Sequence, residues 1–198
     1  MLEKIDVEQV DHLIKEEDSF WAWSLHGGKH YITNRCLAFV VDKEDADETT
    51  EGWELLECLE SHFDKSPDEG MTLIMKYGDV TENRASKIAE TLEKQFANKS
   101  IIEGKVTPFI YADKHLRYRW TQFSGFSLFI QDKYISLLYD AVDEPIFADG
   151  PHSPAFLCDG KFIILPIKNM ENRVNKSFYD FEKLISSLPK AIETTETA

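Results

Sequence analysis

The chain has 198 residues, 42% of them apolar and 12% aromatic, enough to bury a core as one domain or as two small joined ones. Its 22 Lys and Arg against 36 Asp and Glu give a formal charge of −14, which repels phosphate backbones and argues against general nucleic-acid affinity. No basic segment leads into an apolar core near Met1, and no apolar run reaches membrane-spanning length, so a soluble cytoplasmic protein with no membrane association is expected.

Asp6 and Gln9 have capping-box spacing, and Val7, Val10 and Ile14 form one apolar stripe, which predicts a helix over 7–15. Three strands follow at 20–25, 29–33 and 36–42, joined by Gly27-Gly28 and Asn34-Arg35, with 2–5 as a leading strand. The acidic run at 43–51 reads as a solvated loop. Beyond it, Trp53, Leu56, Leu59 and Phe63 predict a short helix, 71–77 a strand, and Ile88, Leu92 and Phe96 a helix over 81–98. A further strand is expected at 106–111.

The stretch YADKHLRYRWTQF at 111–123 is the basic and aromatic patch of the chain. On a strand, Arg117 and Arg119 point to one face and Tyr118 and Trp120 to the other. Arg117, Arg119 and Trp120 are therefore the nucleic-acid candidates, by stacking and backbone contact, set against the plainer reading of a half-buried strand. From 125 the pattern runs strand (126–130), helix (132–142) and three strands ending at 167. The helix rests on Ile135, Leu138, Tyr139 and Val142, and a type I′ hairpin is expected at Cys158-Asp159-Gly160-Lys161. Finally, Phe178, Phe181, Leu184, Ile185 and Leu188 predict an amphipathic helix ended by Pro189, with 192–198 as a disordered tail.

The order strand, helix KYISLLYDAV, strand entered through Glu144-Pro145, then SPAFL at 153–157 and ILPIK at 164–168 resembles the half-domain unit of DNA sliding clamps, with the bacterial clamp subunit nearest in pattern. The helix and three strands near the N-terminus repeat that order without repeating its residues. The resemblance implies an α+β, DNA-clamp-like domain over 1–170, built from two β-α-β-β-β units with an α/β insertion at 43–105, followed by a C-terminal helix and tail over 171–198. It implies a non-enzymatic binding module, of a bacterium or a phage, connected to DNA replication. It also implies a protein partner whose short peptide lies in an apolar groove built partly by the closing strand, at Leu165, Pro166, Ile167 and Lys168. Ring closure would demand an oligomer, and duplex DNA is a doubtful partner given the acidic helices.

Two other classes stand beside this. One is an adaptor or inhibitor, for which Gln122-Phe123-Ser124-Gly125-Phe126 faintly resembles the clamp-binding pentapeptide; the other is a small-molecule enzyme on an unrecognised α+β fold. No catalytic residues, cofactor or metal site is expected. His26 and His30, flanking Gly27-Gly28-Lys29, lack the spacing of a helical zinc pair and read as exposed turn histidines. Gly28-Lys29 lacks the upstream glycine and the Ser or Thr of a phosphate loop. Cys36, Cys58 and Cys158, each beside apolar residues, read as reduced core cysteines.

Overall fold

The structure, a computed structural model, describes residues 5–16, 20–42, 51–97, 102–113, 116–138 and 145–165. Three readings therefore lie outside the described residues: the acidic loop at 43–50, the clamp-like ending beyond Leu165, and the C-terminal helix with its tail. So do residues 2–4 of the leading strand and 139–142 of the predicted helix.

Eleven strands form one sheet: β1 (Trp21–His26), β2 (Lys29–Thr33), β3 (Leu37–Asp42), β4 (Met71–Lys76), β5 (Asp79–Asn83), β6 (Ile102–Asp113), β7 (Leu116–Phe123), β8 (Ser127–Gln131), β9 (Pro145–Ala148), β10 (Ala155–Leu157) and β11 (Phe162–Ile164). Their order across the sheet is β5-β4-β1-β2-β3-β11-β10-β9-β6-β7-β8, and each neighbouring pair of strands is antiparallel. Helices α1 (Val7–Glu16), α2 (Glu51–Phe63), α3 (Ile88–Ala97) and α4 (Asp132–Ile135) complete the described elements. The chain is thus α+β, with the sheet dominant.

Strand period distributes the core between two faces. On one, Trp21, Trp23, Ile32, Phe39, Val41, Leu157, Phe162 and Ile164 pack with Val10, Leu13 and Ile14 of α1, Leu55, Leu59 and Phe63 of α2, and Tyr134 and Ile135 of α4. On the other, the alternate residues Tyr31, Ala38, Val40, Phe156 and Ile163 meet Leu92 and Phe96 of α3. Central strands covered on both sides read as continuous apolar runs, as LAFVVD and FII do.

Two three-stranded meanders, β1-β2-β3 and β9-β10-β11, meet through β3 and β11 in the register Phe39 to Phe162, Ala38 to Ile163 and Leu37 to Ile164. An antiparallel pair has a local two-fold axis, so in strand order the meanders mirror one another about this seam. A helix precedes each, α1 and α4 respectively. The Asp6 N–H donates to the Leu137 carbonyl (2.8 Å) and Ile5 bridges Leu138, which sets the start of α1 beside the segment after α4.

Three expectations are corrected. The helix over 81–98 is a strand and a shorter helix: Tyr77 (φ 52°) and Gly78 (φ 80°) turn residues 79–83 back onto β4, and the Ser86 hydroxyl accepts from the Ile88 N–H (3.3 Å) where α3 begins. The helix from Asp132 makes a single turn to Ile135, because Leu138 enters the bridge with Ile5. The hairpin at 158–161 exists, with Leu157 opposite Phe162, but its link is a 3-10 turn with positive φ at Cys158 and Gly160. Within the segment read as an insertion, β4 and β5 extend the sheet from the free side of β1.

Candidate functional site

The longest pairing in the sheet is the β6–β7 hairpin, and its outer half carries exposed apolar side chains. Val106 pairs with Thr121 and Ile110 with Arg119, so three residues of β6 face Trp120 alone and the ladder bulges. Pro108 has no N–H to give there, and Thr107 repairs the gap by donating its hydroxyl to the Trp120 carbonyl (2.7 Å) while accepting from the Phe109 N–H (3.3 Å). The bulge turns Phe109 outward. It is 49% exposed, with its ring 6.0 Å from that of Trp120. Past it, Tyr111 stacks on Tyr118 at 6.3 Å, and Ile110 (36%) and Leu116 (38%) are exposed. Among the described residues, five large apolar side chains are exposed, and three of them are Phe109, Ile110 and Leu116.

The alternation read from YRW holds in β7: Tyr118 and Trp120 are buried, and Arg117 and Arg119 face the other way, toward Asp132. Arg119 Nε donates to Asp132 Oδ1 (2.8 Å), both side chains nearly enclosed, while Arg117, largely exposed, lies 3.5 Å from Asp132 Oδ2. The three nucleic-acid candidates are therefore not gathered as a stacking surface. Trp120 is 6% exposed and presents no face to a base, Arg119 is committed to Asp132, and Arg117 alone reaches solvent.

Of the peptide-groove candidates, Leu165 is 44% exposed and its N–H donates to the Cys36 carbonyl (2.8 Å) beside the start of β3. Pro166, Ile167 and Lys168 lie outside the described residues. The pentapeptide-like 122–126 is no free motif: Phe123 is buried and stacks on Phe126 at 4.7 Å in the link between β7 and β8.

The histidine reading is corrected in half. His30 is 6% exposed, and its Nδ1 accepts from the Trp23 indole N–H (3.1 Å), which fixes the ring proton of the neutral form on Nε2. The indole is a donor only, and β2 faces inward at that position. The Gly27-Gly28 turn between them has φ of 58° and 70°, and Glu69 accepts both N–H groups.

Sequence reading misses a group of metal-ligating type. Asp11 of α1 and Cys58 and His62 of α2 bring one ligand atom each within 4.8 Å of one another, all three half-buried. His62 Nε2 lies 2.8 Å from Asp11 Oδ1, and Lys15 Nζ donates to Oδ2 at 2.6 Å. The bonds from Lys15 and then His62 hold the Asp11 carboxyl below its ordinary value, and burial, aided by the Asp11 charge, pushes the Cys58 thiol up to about 11. Cys58 and His62 stand at i and i+4, a spacing visible in the sequence; nothing there points to Asp11.

A scan against protein-family models and searches of curated proteins and of solved structures find no match for this chain.

Proposed function

We propose that this chain is a non-enzymatic protein-binding module whose partner docks on the outer half of the β6–β7 hairpin. The exposed apolar side chains there carry the reading: Phe109 and Leu116 lie with Tyr111 on the Trp120 face of the hairpin, and Ile110, paired with Arg119, lies on the other. Hairpin residues that stay in water in the free protein are available to be buried against another surface, and aromatic residues and Arg are the usual anchors of such contacts. Arg117 at the margin favours a partner with acidic groups around an apolar centre. The test is photo-crosslinking in the source cells from a reactive side chain placed at Ile110. A protein adduct that disappears in the Phe109→Ser/Leu116→Ser background is expected. The reading fails if the adduct pattern is the same in both backgrounds.

A sliding-clamp-like arrangement is the second part of the proposal, favoured by the two helix-led meanders joined about the β3–β11 seam. In that reading Leu165, Pro166, Ile167 and Lys168 contribute to a peptide groove, and edge strands β5 and β8 join copies into a ring. Light scattering separates the outcomes: a hexamer supports a ring of one-domain subunits, and a monomer or dimer supports an adaptor.

A further inference from the structure

We infer that Asp11, Cys58 and His62 form a binding site for one divalent transition-metal ion of zinc type, which ties α1 to α2. The three donors are a carboxylate, a thiol and an imidazole, the mixture that suits a borderline-soft ion and not magnesium or calcium, which prefer oxygen alone. They come from two packed helices. Cys58 and His62 lie one turn apart on α2 and face the same way, and Asp11 reaches them from α1.

The three ligand atoms stand close enough together to share one ion. Zinc bonds of about 2.0–2.3 Å at tetrahedral angles separate ligand atoms by roughly 3.3–3.7 Å. Here the Asp11 and His62 atoms are 2.8 Å apart and no pair exceeds 4.8 Å, so side-chain shifts of roughly an ångström bring them to that spacing. Asp11 divides its labour: Oδ1 faces His62 and the ion, and Oδ2 keeps Lys15, whose hydrogen bond orients the carboxylate. Binding replaces the sulfur–hydrogen bond of Cys58 with a sulfur–metal bond and releases that proton to water. The fourth position is left to water, because the described residues add no fourth ligand to the group.

The experiment uses the purified full chain, stripped with chelator and titrated with cobalt(II), then zinc(II). Cobalt is expected to bind at one equivalent with a thiolate charge-transfer band and visible ligand-field bands of tetrahedral intensity, displaced by one equivalent of zinc. The bands should vanish in Cys58→Ser and persist in Cys36→Ser and Cys158→Ser, and His62→Ala should weaken cobalt binding at least about tenfold. Zinc should also raise the thermal midpoint of the wild-type chain and not that of His62→Ala. Absence of cobalt bands in the wild type overturns the inference, as does their survival in Cys58→Ser; if Cys58→Ser does not fold, unchanged affinity in His62→Ala overturns it alone.

Discussion

Gly104 shows how a single residue can be dictated by its neighbours. A methyl group there would lie 2.5 Å from the Phe123 ring and 2.6 Å from the Gln122 carbonyl, and that carbonyl belongs to the paired strand and cannot step aside. Gly104→Ala should cost about 2–3 kcal/mol in denaturant unfolding. At the Arg119–Asp132 pair, Arg119→Ala leaves an enclosed carboxylate with only the exposed Arg117 nearby and should cost about 3 kcal/mol. Arg117→Ala, at the solvent side of the same carboxylate, should change stability by no more than about 0.5 kcal/mol. Equal effects of the two substitutions would contradict the burial difference between them. The alternation of YRW makes the facing of these arginines legible in the sequence; that Asp132 would hold one of them depends on β8 returning beside β7, which residue types alone do not announce.

At the scale of elements, Asp42 fastens the end of β3 to both of its neighbours. It binds Lys29 of β2 (3.1 Å) and Lys161, in the turn before β11 (2.9 Å). Burial raises its carboxyl, but the bonds from Lys161 and Lys29 together outweigh that and hold it below its ordinary 3.8. A depressed folded value means that the carboxylate contributes stability above the unfolded value, and that this contribution is lost as pH falls through the folded one. Asp42→Asn should therefore lower stability by about 1 kcal/mol at neutral pH, and the two proteins should converge in acid below the folded value. A constant difference at all pH would locate the effect elsewhere. On the β6–β7 hairpin, Phe109→Ser/Leu116→Ser should lower the unfolding midpoint only modestly, since both side chains are already partly in water, while abolishing partner capture.

Element existence was readable wherever a strong period coincided with definite turn chemistry. Helix 7–15 and the strands at 29–33 and 71–77 lie within a residue of α1, β2 and β4 at either end, and Gly27-Gly28 and Asn34-Arg35 form the expected turns. The helix over 81–98 shows the limit. Polar residues 79–87 match neither period, and the Tyr77-Gly78 turn that decides for a strand needs positive φ at a tyrosine, a costly choice that pairing with β4 repays. His30 was misread for a similar reason: five residues of sequence showed the turn, and the indole that holds the imidazole comes from the strand before it.

For the whole molecule, the sign of the charge sets an expectation that needs no site. With −14 overall and Arg117 as the solvent-facing member of the arginine pair, duplex DNA should not be retained at low-micromolar concentration in near-physiological salt, as fluorescence anisotropy would show. Retention there would imply a concentrated basic surface elsewhere on the chain.

The seam between β3 and β11 also sets a schedule for synthesis. β1, β2 and β3 leave the ribosome well before β11, the strand that flanks β3 and is among the last of the described residues to be made. Throughout that interval the open side of Leu37–Asp42 is an apolar template with unpaired backbone groups, available to any other extended chain. The nascent protein is thus vulnerable to misassociation between the synthesis of β3 and that of β11, and a chaperone that shields strand edges should raise its yield.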